Sequence, residues 1–183
     1  MDYRNGTYTA FYVSEPFHTY NLGAHAAKDF AYYHLVTAWK ATDPSFPFID
    51  SHAKTYNVRD GSSWEGTLKP RLHTRLRKSK NILLFLSSRT RPSKALTEEM
   101  EYGVGYLHLP VIVVYPELDE VADQHGYFYD SVTNLWNRLP AFKENMGLVP
   151  TVHLPMDKSM IREALSSPSF RVQTATSPRK YLL

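Results

Sequence analysis

Apolar residues recur along this chain in two rhythms, and the alternation between them lays out the elements. Thr7 to Val13 is a β-branched and aromatic run stopped by Ser14-Glu15-Pro16, which predicts a first strand. From Ala24 to Ala41 the small or apolar residues Ala27, Ala31, Leu35 and Ala38 fall at helical spacing, and Asp43-Pro44 supplies the stop. Phe46 to Ile49 predicts a short buried strand that delivers Asp50-Ser51-His52 to its carboxyl end. A turn-forming stretch follows, through Asp60-Gly61-Ser62-Ser63.

Leu68, Leu72 and Leu76 then sit four apart with Arg71, Arg75, Arg77 and Lys78 between them, the pattern of an amphipathic helix. Two starts are open. With Thr67 as N-cap, Pro70 falls in the first turn; with Ser63 as N-cap, Pro70 should kink the helix. Asn81 to Leu86 and Val111 to Tyr115 are apolar without alternation, as central parallel strands covered on both faces should be. Between them, Leu96, Met100, Gly103 and Leu107 predict a helix capped by Ser93, with Gly103-Val104-Gly105 marking close packing. Beyond Pro116 the pattern weakens: partly helical around Val132, Leu135, Trp136 and Leu139 with a break at Pro140, then an edge strand over Thr151 to Leu154. Asp157 caps a last helix over Lys158 to Leu165, and Pro168 follows it.

Strand, helix and strand repeated in this way predict right-handed βαβ units, hence a doubly wound parallel sheet of about five strands with flanking helices. A single domain over 1–170, with its core at about 7–117, accounts for the pattern, and 171–183 is expected to be a mobile tail. With 183 residues, 43% hydrophobic and 14% aromatic, the chain has material for one full core.

Composition removes several chemistries. Without cysteine there is no disulfide, thiolate metal site or thiol nucleophile. No run approaches the roughly 20 apolar residues of a membrane helix, and Met1 to Gly6 lacks a signal-peptide core, so a cytoplasmic protein is expected. The formal charge of +3 is weaker than a dedicated nucleic-acid binder shows. A phosphate-cradling Gly-rich loop, a zinc-protease helix and a serine nucleophile elbow are all missing, and no His has a partner at metal-ligand spacing, so no metal is expected.

Open α/β sheets bind ligands beyond the carboxyl ends of their strands, which here means Ser14 to His18, Asp50 to His52 and Ser87-Ser88, with the loop Ser62-Ser63-Trp64-Glu65 reaching the same rim. An indole beside a carboxylate suits a ligand with a flat base and a cleavable glycosidic bond. A buried Trp beside a solvated or helix-capping Glu fits the same residues equally well.

The stretches Ala38-Trp39-Lys40-Ala41, Phe48-Ile49-Asp50-Ser51-His52, Val58-Arg59-Asp60-Gly61-Ser62-Ser63, Leu68-Lys69 and Glu99-Met100-Glu101-Tyr102 resemble, in order and spacing, bacterial TIR-like proteins of the Thoeris ThsB type. The resemblance spans roughly residues 7 to 117. It implies a flavodoxin-like sheet and an antiphage enzyme that cleaves NAD, its substrate, at the nicotinamide–ribose bond to make a cyclic or modified ADP-ribose signal. A signal-receiving effector protein and self-association through TIR–TIR contacts are the implied partners, and no cofactor is required. Carried onto this chain, the family's catalytic carboxylate falls on Glu65. The family runs Ser-Ser-x-Glu-Thr-Ile-Lys there, whereas Gly66 is inserted here and Pro70 follows Lys69. One inserted residue turns a side chain by about 100° on an α-helix. Glu98 stands where the family often has Trp, and Glu99 is read as a structural pairing residue.

For that chemistry Phe11, Tyr12, Phe17 or Trp64 would stack on nicotinamide or adenine, Ser14 and Ser63 would donate to ribose or phosphate, and Asp50 lies at the same rim. Two other functions compete: an interaction module in which Glu65 only caps a helix, and nucleic-acid binding through Lys69, Arg71, His73, Arg75, Arg77, Lys78 and Lys80, continued by Arg89 and Arg91. A charge run on a helix is more often its solvated face. A response-regulator receiver would need an acidic pair after the first strand and an Asp ending the third, and Ser14-Glu15 and Ser87-Ser88 stand there instead.

Overall fold

The computed structural model describes residues 7–12, 26–51 and 63–183. Among them lies a sheet of five parallel strands in the order β1 (Tyr8–Tyr12), β2 (Ser79–Phe85), β3 (Val111–Tyr115), β4 (Thr151–Pro155), β5 (Lys180–Leu182). Every residue of β2 and β3 is buried, because helices cover both faces. One layer holds α2 (Lys69–Arg77), α3 (Lys94–Glu99) with its π-helical continuation Met100–Tyr106, α4 (Asp130–Trp136) and α5 (Pro140–Asn145) against Ile82, Leu84, Val111 and Val113. The other holds α1 (Ala26–Thr42) and α6 (Lys158–Ser166) against Leu83, Phe85, Ile112 and Val152. No described helix is long and apolar enough to cross a membrane.

The expected caps form. Ser93 accepts Leu96 N–H at 3.1 Å, and Asp157 accepts the N–H groups of Ser159 and Met160 at 2.8 and 2.9 Å. Pro140 ends one helical turn and starts α5, since it has no N–H to continue the earlier ladder. Gly103 packs against the sheet as its sequence suggests: an added Cβ would lie 3.0 Å from Ile82 Cδ1 and 3.1 Å from Leu76 Cδ2. Gly103→Val should therefore lower stability by about 1–3 kcal/mol in urea unfolding through overpacking. Gly105→Ala meets only the swinging end of Asn145 and should cost little.

Three expectations are corrected. The segment from Arg171, expected to be a mobile tail, returns to the sheet: Thr151 N–H donates to Arg179 C=O at 3.0 Å and β5 pairs in parallel with β4. β4 is consequently an interior strand and not the edge. The predicted strand at Phe46 to Ile49 contributes one parallel bridge, Asp50 to Thr9, on the outer side of β1. Its apolar residues Phe46 and Phe48 are nevertheless fully buried in the α1 layer.

That bridge sets the topology. The chain leaves β1 to the outside, then crosses back to lay β2 on the other flank, so the winding reverses between β1 and β2. In open α/β sheets ligands bind beyond the carboxyl ends of the strands at such a reversal.

Candidate functional site

The helix that enters β2 begins at this carboxyl edge, and the inserted Gly66 decides how. Ser63 is the N-cap, its hydroxyl accepting Gly66 N–H at 3.2 Å. Leu68 N–H reaches back five residues to Ser63 C=O at 3.1 Å, and Lys69 N–H reaches Trp64 C=O, so Trp64–Leu68 is a π-helical turn. The extra residue is accommodated as one wide turn. Pro70 then lies in the first turn of α2, where a missing N–H is harmless.

Trp64 lies half-buried on the α2 layer's core, with its indole N–H shielded from solvent and without an acceptor among the described residues. Lys94, the first residue of α3, sets its Nζ 5.1 Å from the indole centroid and 3.6 Å from Glu65 Oε1. The Glu65 side chain is 71% exposed, so that pairing is weak in water. Ser63 uses its oxygen as a cap and keeps its O–H hydrogen for another acceptor. An indole, a carboxylate and an ammonium thus share the rim at the winding reversal.

The other predicted site residues are distributed differently. Asp50 is level with Thr9, three residues short of Tyr12, which is about 10 Å below the rim at strand spacing. There it accepts the hydroxyl of Tyr33, whose ionisation is pushed up by burial and by that carboxylate. Phe11 and Tyr12 belong to β1, with side chains outside the described residues; Ser14 and Phe17 lie outside them altogether.

Sequence reasoning gave Glu99 a pairing role, and the pairing is a buried one. Glu99 Oε1 lies 2.6 Å from Arg75 Nη2, with both side chains about 4% exposed. Burial pushes the carboxyl above its ordinary range while the guanidinium pulls the other way. The residue ends α3 immediately before the second π-helical stretch, a distortion often found beside functional groups. Next to it, Glu98 accepts from Lys69 Nζ at 3.0 Å and pairs with His73 Nε2 at 2.7 Å, contacts that hold its carboxyl below the usual range against the opposing effect of burial. The basic run of α2 is therefore not a uniform solvated face. Lys69 and His73 serve Glu98, Arg75 and Lys80 are buried, and Arg71, Arg77 and Lys78 remain exposed. Among the described residues no group of three His, Asp or Glu side chains is placed to hold a metal ion.

Five parallel strands, helices on both faces and a winding reversal beside β1 define an α/β domain of the flavodoxin-like, TIR type. The particular family follows from the chain itself: the model of the Thoeris protein ThsB, TIR-like domain, matches residues 8–121, more than half of its length, and the chain belongs to that family. Membership supports a TIR-domain role in defence.

Proposed function

We propose that this domain cleaves NAD at the nicotinamide–ribose bond and releases a cyclic or modified ADP-ribose as a signal to an effector protein in the cytoplasm. The observation that supports it best is the grouping of Trp64, Glu65 and Lys94 at the carboxyl edge where the winding reverses. Nicotinamide in NAD already leaves as a neutral base from a cation, so no general acid is needed. What the reaction asks for is a carboxylate near the ribose as positive charge develops there. One preorganised contact of that kind is worth roughly 3 kcal/mol.

Glu65 is the carboxylate in this reading, Trp64 and the aromatic residues of β1 stack on the flat bases, and Ser63 donates to ribose or phosphate. Glu65 is open to water in the single chain, so bound dinucleotide and a second copy of the domain would supply the cover. A second assignment has its own support: Glu99 is the carboxylate held out of water with a raised pKa, the condition under which such groups serve chemistry.

Nicotinamide release from NAD by assembled protein separates the assignments. Glu65→Gln should lower kcat by about 10²–10³-fold with its circular dichroism unchanged. If Glu65→Gln turns over normally and Glu99→Gln does not, the role moves to Glu99. Normal turnover by both variants would reject a carboxylate mechanism at this edge, and no turnover by any assembled form would leave an assembly module.

A further inference from the structure

Among the described residues at the opposite, amino edge of β1 and β2, several polar groups lack partners, and together they have more hydrogens to give than acceptors to receive them. Lys80 is 7% exposed and pairs with no carboxylate among the described residues. Arg171 lies beside it, because Val172 N–H donates to Lys80 C=O at 2.8 Å; one arm of its guanidinium reaches Ser166 C=O, while its Nε–H is buried without an acceptor. Thr9, fully buried, is the register partner of Asn81, and its hydroxyl has no partner. Ser51, whose N–H donates to Thr9 C=O at 3.3 Å, has an equally unpartnered hydroxyl. Asn81 is fixed by its Nδ2–H donating to Phe170 C=O at 2.9 Å, which ties this strand start to the segment carrying Arg171.

Counted by chemistry, the shortage is of acceptors. The Lys80 ammonium, a guanidinium N–H and two hydroxyls have hydrogens to give, against three unsatisfied acceptors, Asn81 Oδ1 and the two hydroxyl oxygens. Buried donors left unpaired are costly, and a buried cation without a counter-charge more so. The Lys80 ammonium is disfavoured by burial first, and then by the like charges of Arg171 and Lys40, whose own Nζ is held by Pro44 and Phe46 carbonyls at 2.7 Å. An oxyanion with several acceptor oxygens meets each shortage together, and a monohydrogen phosphate also brings one proton for Asn81 Oδ1.

We propose that the amino edge of β1 and β2 carries a binding site for a phosphate group, formed by Lys80 and Arg171 with the hydroxyls of Thr9 and Ser51. The phosphate is either inorganic or the terminal group of a nucleotide. It sits across the sheet from the rim proposed for NAD, and neither site depends on the other.

Calorimetric and thermal-melt titrations with sodium phosphate and with 5′-AMP, at ionic strength balanced by sodium chloride, test this directly. The protein should bind and melt higher with at least one of the two, and Lys80→Met and Arg171→Gln should each weaken that binding by about tenfold or more. Lys80→Arg should retain it. In phosphate-free buffer Lys80→Met should melt no lower than the unsubstituted protein, because it removes a buried charge that has no partner. A larger effect of 5′-AMP assigns a nucleotide phosphate; equal effects assign the bare anion. Indifference to both ligands, or equal binding by the unsubstituted protein and Arg171→Gln, would overturn the proposal.

Discussion

Replacing Arg75 with Met should lower folding stability by about 3–5 kcal/mol at pH 7, the usual cost of stranding one member of a buried ion pair. The partner left behind is Glu99, enclosed at about 4% exposure at the join of α3 with the π-helical stretch. Without the guanidinium, folding at pH 7 would have to protonate a carboxyl whose ordinary value is 4.5. In the intact pair burial already raises this carboxyl against the pull of the guanidinium, and removing the guanidinium raises it further. The folded state then holds the proton more tightly than the unfolded state, so the penalty grows as pH rises above 4.5 and fades below it. Urea unfolding of Arg75→Met at pH 7 and pH 4.5 should show a much smaller loss at the lower value, and adding Glu99→Leu should recover most of the loss at pH 7. A pH-independent loss would mean that packing, and not the stranded charge, explains the effect.

Acid should weaken the fold through His153, with the opposite sign. Its ring is buried between β3 and α4 and is held neutral, with Nδ1 hydrogen-bonded to the Tyr115 hydroxyl at 2.7 Å and Nε2 to the Thr151 hydroxyl at 3.1 Å. Trp136 Nε1–H donates to the Tyr115 oxygen at 2.7 Å and closes the chain. Burial, aided by nearby Lys180, holds the ring's pKa down from 6.5 to about 3. The unfolded state therefore binds the proton first. Stability from this group is complete above pH 6.5 and is lost as pH falls toward 3, at about 1.4 kcal/mol per unit, or about 2.7 kcal/mol by pH 4.5. The raised Glu99 carboxyl works against this trend, so the informative quantity is the difference from His153→Gln, which should show a shallower acid slope. Parallel pH profiles of the two proteins would show that His153 is protonated without cost.

Much of this architecture is written locally. The unbroken apolar runs of β2 and β3 and the caps Ser93 and Asp157 are decided by neighbours in sequence, and they form as expected. β5 is not written that way: it is three residues with only Tyr181 half-buried, and it forms because β4 offers an unpaired edge. Gly66 is plain in the sequence, yet whether it breaks, turns or widens a helix depends on how both ends are anchored, and a π-turn is the outcome. Arg75 reads as one more cation on a basic face until α2 and α3 lie side by side. The Trp136–Tyr115–His153 chain exists only through the register of β3 against β4 and the seating of α4, and the partnerless donors at the amino edge likewise join residues distant in sequence.

The claim that a dinucleotide occupies the rim between β1 and β2 is tested most directly by titrating ADP-ribose, which needs no turnover, into nitrogen-15-labelled protein. The Trp64 indole N–H, shielded and without an acceptor among the described residues, should shift together with the amides of Trp64–Leu68 and Ser87–Lys94. An opening of about 750 Å³ lies at the far end of the carboxyl edge, lined by Asp119, Glu120, Asp123, Tyr129 and Met160. Shifts confined to that opening, with the Trp64 indole unmoved at saturation, would contradict the account.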